Sequence, residues 1–268
     1  MSKLLVITGA AGRIGTFYRR WLRERGALGE GDGGWRLRLV DVRPPEHAEP
    51  ADDVISADKA DVSDPAVAQE FARGAHTILH LAADPSPSAD FYASLLDRNI
   101  KATYNVLQAA RDNVVRRVVF ASSVNAILGY PQQRQVRAED VAWPGNVYGA
   151  SKAWGEAVCG AFVAQSEGKL SAIAVRIGGV TDRNQIGGER RRGQWYGITV
   201  TYEDLSRLFD RCIDGAPDVT FAVVNGISNN RYLRMDLDST RHILGYDPED
   251  DAFAIAEERA AAQKSAPA

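Results

Sequence analysis

Short apolar segments alternate with segments of helical spacing through the first two-thirds of the chain. In the first helical segment, Ile14, Phe17, Trp21 and Leu22 fall on one face, as the period of an α-helix requires. The apolar segments between such helices have the length of buried strands. Strands separated by helices predict a parallel sheet covered on both faces. The predicted strands are 4–8, 35–42, 54–57, 76–82, 116–121 and 170–177, and the predicted helices are 14–25, 64–73 (capped by Ser63), 98–112 and 148–165.

The pattern changes after Gly178. Residues 181–197 are rich in glycine, arginine, asparagine and glutamine, which is typical of a long loop that closes over a ligand. We therefore predict an α/β protein with a Rossmann doubly wound parallel sheet in residues 1–178 and a small C-terminal substrate-binding cap in residues 179–268. The elements predicted in the cap are a helix at 201–214, a strand at 219–224, a helix at 238–244 and an alanine-rich helix from 254.

The first strand runs into a glycine-rich turn at residues 8–15. Gly9 permits the tight turn, Gly12 lets a pyrophosphate approach the backbone, and Gly15 lets the helix and strand pack closely. The positive end of the helix dipole faces the same place. Because the turn lies at the first strand–helix junction, it predicts a dinucleotide cofactor. The expected contacts in this turn are Gly9, Gly12, Arg13, Ile14 and Gly15.

An acidic residue, Asp41, ends the second predicted strand. A carboxylate there accepts hydrogen bonds from the adenosine ribose and repels a 2′-phosphate, which favours NAD over NADP. Arg13 and Arg43 can tolerate a phosphate, so NADP stays open as the less favoured cofactor. An open parallel sheet binds its ligand at the carboxyl ends of its strands. The further cofactor contacts predicted at or near that edge are Asp61, Val62, Leu81, Ala82, Ala83, Asn99, Tyr148, Lys152 and Ile177.

Tyr148 and Lys152 lie four residues apart at the start of a predicted helix, so they share one face. A free phenol has a pKa of about 10, and a nearby cation lowers that pKa by stabilising the phenolate. Lys152 is suited to this role and to holding a ribose hydroxyl. Ser123 follows the fifth strand, where its hydroxyl can orient a substrate hydroxyl, and Asn99 is expected to open the third helix.

Composition narrows the function classes. The chain has 268 residues with a formal net charge of −3, which argues against a dedicated nucleic-acid binder. No apolar run reaches the roughly 18 residues of a membrane span, and the first residues show no signal-peptide pattern. Two cysteines, Cys159 and Cys212, exclude a disulfide framework and a cysteine-rich metal site. A cytoplasmic enzyme without a metal is therefore expected.

The glycine-rich turn, the acidic residue after the second strand and the Ser123, Tyr148 and Lys152 set together resemble the extended, sugar-modifying branch of the short-chain dehydrogenases/reductases. The resemblance implies that Tyr148 is the general base, that Lys152 lowers its pKa, and that Ser123 holds the substrate. Asn99 would support a proton relay. It also implies NAD as cofactor and a homodimer or higher homo-oligomer. The matching positions, in order and spacing, are Gly9, Gly12, Gly15, Asp41, Asp61, Val62, Asn99, Ser123, Tyr148 and Lys152.

A narrower resemblance is to a subgroup of uronate dehydrogenases, archaeal NAD-dependent glucose-6-phosphate dehydrogenases and sulfoquinovose dehydrogenases. It is carried by residues 120–123, 176–178 and 244–248, and by the arginine-rich stretch before Trp195. It implies oxidation of the anomeric C1 hydroxyl of a hexose with an anion at C6, giving a lactone. The substrate-binding residues it implies are Ser86, Ser123, Asn125, Tyr148, Gly178, Arg190, Arg191, Arg192 and Trp195.

The chain also departs from the uronate dehydrogenase pattern. Val124-Asn125 replaces Asn-His, Gly179 replaces a serine, and the serine after the fourth strand's small pair is displaced to Ser86 by Asp84-Pro85. Three adjacent arginines suit a phosphate or sulfonate better than a single carboxylate. We therefore rank sulfoquinovose or a hexose 6-phosphate above a hexuronate.

Two other functions stay open from the sequence. A nucleotide-sugar epimerase or dehydratase would use the same fold with tightly bound NAD, although residues 179–268 are short for its substrate domain. A regulatory binder with a dehydrogenase fold would not need Tyr148, Lys152 and Ser123 intact.

Overall fold

Strands and helices alternate along the chain, as predicted. The computed structural model describes residues 2–29, 34–56, 60–188, 193–215 and 217–265. The strands are β1 (Lys3–Thr8), β2 (Trp35–Asp41), β3 (Asp53–Ser56), β4 (Thr77–His80), β5 (Arg117–Ser123), β6 (Ser171–Ile177), β7 (Gly179–Thr181), β8 (Thr199–Thr201) and β9 (Phe221–Gly226). The helices are α1 (Arg13–Glu24), α2 (Pro65–Ala72), α3 (Ala102–Asp112), α4 (Val147–Ala164), α5 (Tyr202–Ile213), α6 (Asp238–Leu244) and α7 (Ala252–Ser265), and a π-helical segment, Phe91–Lys101, runs directly into α3.

Seven strands form one parallel sheet in the order β3-β2-β1-β4-β5-β6-β9. The direction of winding reverses between β1 and β4, so a crevice opens at the carboxyl ends of these two strands. Ligands bind at such a reversal point in open α/β sheets. The predicted Rossmann fold is therefore confirmed, and its topology places the site beside the glycine-rich turn.

The sheet separates two hydrophobic cores. Along β1, Leu5 and Ile7 belong to one core, whereas Leu4 and Val6 belong to the other. This alternation follows from the two-residue period of a strand whose two faces are both covered by helices. None of the described helices is long and apolar enough to span a bilayer.

One strand that we assigned to the cap lies in the main sheet. β9 pairs with β6 along its length, and Val175 stands opposite Val224. Val224 is fully buried there and belongs to the same hydrophobic core as Val175, so the pairing removes its side chain from water. The chain after residue 178 therefore both extends the sheet and lies over its carboxyl edge, where β7 and β8 pair in parallel.

Two helices begin elsewhere than predicted. Asp64, not Ser63, caps α2, because its Oδ1 accepts the Ala66 N–H at 2.8 Å. The helix expected from residue 98 begins with the π-helical segment at Phe91, where Asp90 Oδ1 accepts the Ala93 N–H at 2.7 Å. Asn99 consequently lies inside a helix and does not open one.

Residues 181–197, which we predicted to form one long loop, contain helical turns near both ends. Short 3₁₀ turns form at Arg183–Gln185 and Gly193–Ile198. Ile186 and Tyr196 pack with Ala252 of α7 in a small third core. The C-terminal helix thereby holds the chain on either side of Trp195 against the main fold.

Candidate active site

A cavity of about 1450 Å³ lies at the carboxyl edge of the sheet, between the glycine-rich turn and α4. Gly9 has φ +71°, a conformation that favours glycine, and a Cβ there would lie 2.7 Å from the Ala82 nitrogen. A Cβ at Gly15 would lie 2.6 Å from the Gly9 oxygen. Gly12 caps α1 without a side chain, so the N–H groups of the first turn remain open toward an anion. The cradle thus fits the pyrophosphate of a dinucleotide.

Asp41 is held for the ribose end of such a cofactor. Its buried carboxylate accepts the backbone N–H of Ala11 and that of Arg43, each at 2.9 Å. A carboxylate has further lone pairs, which point to hydroxyl donors such as those of the adenosine ribose. Arg43 Nε lies 3.9 Å from Asp41 Oδ1, and the arginine side chain is 71% exposed. Asp41, rather than Arg43, is therefore the fixed charge at this end.

Most predicted site residues line this one cavity. Asn99 and Ser86 do not, although Pro85 and Pro87 on either side of Ser86 do. Arg190, Arg191 and Arg192 lie outside the described residues. The predicted residues that line the cavity are Gly9, Gly12, Arg13, Ile14, Gly15, Asp41, Asp61, Val62, Leu81, Ala82, Ala83, Ser123, Asn125, Tyr148, Lys152, Ile177, Gly178 and Trp195.

The cavity is also lined by residues that the sequence did not indicate, among them three polar ones on a single segment. Ser94, Asp97 and Arg98 all face the cavity from the π-helical segment. They were missed because the helix was expected to start at residue 98. The sequence does indicate the true start of this helix. Asp90 is a residue type that caps helices, and residues 91–97, before the predicted start, contain no proline or glycine.

Lys152 is buried beside aromatic rings. Its Nζ lies 5.1 Å from the centre of the Phe120 ring and 5.8 Å from that of Tyr148. Burial lowers the pKa of Lys152 from 10.5 to about 8. His80 is also buried, and desolvation together with the Lys152 charge lowers its pKa to about 3. His80 is therefore neutral at physiological pH, and Lys152 is the positive charge on this side of the site.

The pKa of Tyr148 shifts in the opposite direction from our expectation. Burial of the phenol raises its pKa, a hydrogen bond with Ser123 opposes that effect, and the Asp84 carboxylate raises the pKa further. Lys152 is not among the causes of this pKa shift, and desolvation, the largest of them, disfavours the phenolate. Ser123 supplies the described contact that favours the anionic form.

Asn99 has a structural set of hydrogen bonds. Its Oδ1 accepts the Asp84 N–H at 2.9 Å, and its Nδ2 donates to the Asp84 carbonyl and to Ser151 Oγ at 3.2 and 3.0 Å. The side chain therefore ties the loop after β4 to α4, which carries Tyr148. The proton relay implied by the resemblance stays a prediction.

Asp84 occupies the point at which the chain departs from the uronate dehydrogenase pattern. Its carboxylate accepts the Ser86 N–H at 2.9 Å and the Ser94 hydroxyl at 2.5 Å. These hydrogen bonds lower its pKa against the effect of burial, and the Arg98 charge adds to them. Asp84 thus holds the loop and presents a fixed negative charge on this side of the phenol.

We expect the variant Lys152→Met to be more stable than the wild type at pH 7, by about 3 kcal/mol, although it loses activity. Folding buries a charged ammonium at that pH, and methionine removes this cost. The folded-state pKa lies below the unfolded one, so the unfolded chain binds more protons between pH 8 and 10.5. The advantage of the variant is therefore complete below about pH 8 and shrinks to roughly 1 kcal/mol by pH 10.

Urea unfolding of both proteins at pH 7 and pH 10 measures this difference. Lys169→Met is the matched control, because the Lys169 side chain is 71% exposed and its variant should change the free energy of unfolding by less than about 0.5 kcal/mol. A stability gain that is equal at the two pH values would contradict the burial of a charged Lys152.

Comparisons with known proteins agree with this geometry. A model of the NAD dependent epimerase/dehydratase family matches residues 5–185. The NAD-dependent glucose-6-phosphate dehydrogenase of Haloferax volcanii is 32% identical over 266 residues, which cover 94% of this chain and 95% of that protein. The uronate dehydrogenase of Pseudomonas putida is 31% identical over 249 residues, covering 92% of this chain and 84% of that protein. A mutant uronate dehydrogenase from Agrobacterium tumefaciens, solved in complex with NAD, superimposes with a TM-score of 0.80 at 29% identity, covering 100% of this chain and 92% of that one.

The expected cofactor, NAD, is confirmed by the family match and by the NAD complex of the structural relative. The expected enzyme class, an NAD-dependent sugar dehydrogenase, is confirmed by the relatives in sequence. The chain belongs to the NAD dependent epimerase/dehydratase family.

Proposed function

We propose that this enzyme oxidises the anomeric C1 hydroxyl of a hexose that carries an anion at C6, and that the product is the lactone. The observation that carries the proposal is the placement of Ser123, Tyr148 and Lys152 in the same cavity as the dinucleotide cradle. A hydroxyl held at this point lies beside both a base and the cofactor site. The names of the two relatives in sequence, a glucose-6-phosphate dehydrogenase and a uronate dehydrogenase, support a sugar with an anionic group.

The mechanism follows from the groups around Tyr148. Held by the cradle of Gly9 and Gly12 and by Asp41, NAD would supply the acceptor for the hydride from C1. Tyr148, as phenolate, removes the proton from the C1 hydroxyl, and Ser123 orients that hydroxyl. Lys152 supplies positive charge on the same face of α4. Because burial raises the pKa of Tyr148, the rate is expected to rise with pH until the phenolate predominates.

The substrate end of the cavity is formed by β6, the start of β7 and the turn at Gly193–Ile198. Gly178 leaves no room for a side chain, since a Cβ there would lie 2.1 Å from the Ile198 oxygen. Trp195 is 44% exposed and lines the cavity. This exposed indole gives the sugar ring an apolar surface on which to pack. The pocket can therefore hold a hexose between Trp195 and Ser123.

We assign recognition of the C6 anion to Arg190, Arg191 and Arg192 from their sequence, since these residues lie outside the described ones. Three adjacent guanidinium groups suit an anion with three oxygens. We therefore propose sulfoquinovose or a hexose 6-phosphate as substrate ahead of a hexuronate.

Appearance of NADH with a panel of sugars tests the function. The panel is glucose 6-phosphate, sulfoquinovose, glucuronate, galacturonate and neutral glucose, with kcat/KM as the readout. We expect the phosphate and sulfonate to give the highest values and glucose the lowest. If none of these sugars reduces NAD, and NAD stays bound through purification, the result would favour an epimerase or dehydratase instead.

Single replacement of Arg190, Arg191 or Arg192 by alanine should raise KM for the anionic sugar. In at least one variant we expect this KM to rise roughly tenfold or more, because one charge-assisted hydrogen bond to the anion is lost. KM for NAD should not change. Arg137→Ala is the control, since Arg137 is exposed and does not line the cavity. Three variants with unchanged KM would refute the assignment.

We also propose that the enzyme is cytoplasmic and works as a homodimer or higher homo-oligomer. Both cysteines are buried free thiols, which suits a reducing compartment. Tyr92 of the π-helical segment, Tyr104 of α3 and Val147 of α4 are exposed by 81%, 47% and 54%, and a two-fold contact between these helices would cover them. Sedimentation velocity gives the mass of the assembly, and a monomer would refute this part of the proposal.

A further inference from the structure

We infer that Asn146 and Asn125 form a positioning relay that fixes the Ser123 hydroxyl as a hydrogen-bond donor to Tyr148. This inference rests on the proposed function of that site and deepens it. It concerns the direction of a proton: whether Ser123 gives its hydrogen to the phenol oxygen or accepts one from it. The direction follows from four hydrogen bonds read in order from the start of α4.

The relay begins at a helix cap. Asn146 is the N-cap of α4, and its Oδ1 accepts the Gly149 N–H at 2.7 Å. A backbone N–H can only donate, so the oxygen of this amide faces Gly149 and its NH₂ faces away. The NH₂ donates to Asn125 Oδ1 at 2.9 Å. Gly149 permits this close approach, because a Cβ there would lie 2.1 Å from the Asn125 backbone oxygen.

The orientation of Asn125 is thereby determined as well. Its oxygen is occupied by Asn146, so its NH₂ points to Ser123 and donates to Oγ at 3.2 Å. The backbone N–H of Asn125 donates to the same Oγ at 3.2 Å. A hydroxyl has two acceptor lone pairs and one hydrogen. With both lone pairs filled by Asn125, the Ser123 hydroxyl can only donate, and its hydrogen lies toward the Tyr148 oxygen, with which it interacts. A bound C1 hydroxyl would share this hydrogen with Tyr148 in a three-centre hydrogen bond, so Ser123 orients the sugar as a donor.

The donation has a chemical consequence. Ser123 and Tyr148 are each 7% exposed, so water does not compete strongly for this hydrogen bond. A hydrogen bond donated to the phenol oxygen favours the phenolate over the neutral form. The other groups that act on the phenol are Lys152 on the same helix and Asp84 on the loop after β4. Asn125 thus acts through Ser123 and is a positioning residue, beyond the substrate contact we predicted from the sequence.

Asn146→Asp tests the relay. Aspartate is as good an N-cap as asparagine, so α4 should keep its start. Its carboxylate cannot donate to Asn125, and the Asn125 amide is expected to turn over and present its oxygen to Ser123. The Ser123 hydroxyl then donates to Asn125 and no longer to Tyr148. We expect the apparent pKa of Tyr148 to rise by about one pH unit, and kcat at neutral pH to fall about tenfold with KM changed less than twofold.

Ultraviolet titration of the tyrosinate form, as the difference from Tyr148→Phe, reports this pKa without sugar or NAD. If the wild type reduces NAD with none of the sugars but Asn146→Asp shifts the titration as expected, the proposed function is wrong and the relay is supported. Equal titrations of the wild type and Asn146→Asp would overturn the relay. Asn229→Asp is the matched control, since it adds the same charge at an exposed asparagine whose oxygen already accepts a hydrogen bond from Arg241.

The same comparison in a Ser123→Ala background separates the relay from a through-space effect of the added charge. If the effect passes through Ser123, Asn146→Asp should shift the Tyr148 titration little when Ser123 is alanine. A shift of the same size in that background would mean that the charge acts directly, and the relay would be wrong.

Discussion

Replacing Tyr148 with phenylalanine is expected to lower kcat for NAD reduction by roughly 10²–10⁴-fold, the usual contribution of a general base. The variant removes one oxygen and keeps the ring, which is almost fully buried at the start of α4. The hydrogen-bond partner that this oxygen loses is Ser123, whose hydroxyl faces the cavity. The cradle for NAD is built by Gly9, Gly12 and Asp41, none of which depends on the phenol oxygen.

Affinity for NAD should therefore stay within about twofold of the wild type, measured by calorimetry or by quenching of protein fluorescence. Tyr232→Phe is the matched control, because Tyr232 is 67% exposed and does not line the cavity. Turnover retained in Tyr148→Phe would remove the proposed base. Equal loss in the control would show that the assay follows stability instead of chemistry.

Replacing Glu156 with glutamine is expected to lower the free energy of unfolding by about 3–5 kcal/mol. Glu156 and Arg176 form a buried ion pair whose side chains are 6% and 3% exposed. Arg176 donates from Nε and Nη2 to the two carboxylate oxygens at 3.0 and 2.9 Å, and Ser122 Oγ adds a hydrogen bond of 2.5 Å. Glutamine leaves a buried guanidinium without its counter-charge, which is the costly outcome.

The double variant Glu156→Leu with Arg176→Met should recover much of the lost stability, because it removes both charges together. Glu24→Gln is the surface control: the Arg20–Glu24 pair is 61% and 67% exposed, so its loss should cost less than about 1 kcal/mol. Urea unfolding at pH 7 measures all three variants. A cost for Glu156→Gln no larger than that of the surface control would show that the pair does not hold β5, β6 and α4 together.

The ion pair also affects the site, since it anchors α4, the helix that carries Tyr148. Glu156 lies on α4 two turns after Tyr148, and Ser122 immediately precedes Ser123. Arg176 further donates to the Ala138 and Asp140 carbonyls, at 3.3 and 3.4 Å, in the chain before α4. The variant should therefore lose catalytic rate at temperatures where it remains folded.

The local pattern of the sequence was enough to locate much of the fold. Leu4 and Val6 fall on one face of β1, and Leu5 and Ile7 fall on the other. Because all four are apolar, the sequence specifies a strand buried on both faces. The glycine spacing at Gly9, Gly12 and Gly15 identifies the cradle. Each of these signals depends on residues that are neighbours in sequence and also neighbours in space, so no knowledge of the remaining chain is needed.

The place of β9 and the start of the helix that carries Arg98 could not be read from the local apolar pattern. β9 was assigned to a cap because its apolar pattern fits any buried surface, and only its pairing with β6 shows which one. The helix bearing Arg98 was started too late because its cap lies outside the periodic pattern. The hydrogen bonds of Asn99 with Asp84 and Ser151 likewise join segments that the sequence does not show to be neighbours, while its part in a proton relay stays a prediction.

The sequence by itself determined the fold class and the cofactor, and it singled out Tyr148, Lys152 and Ser123 as candidate catalytic residues, because each of these signals is a short motif with its own chemistry. The tertiary structure alone decided the environment of those residues. Burial sets the directions of the Tyr148 and Lys152 pKa shifts, and Asn146 and Asn125 orient Ser123 from outside the motif. Desolvation and hydrogen-bond direction depend on every group that surrounds an atom, and that surrounding is assembled only when distant segments of the chain pack together.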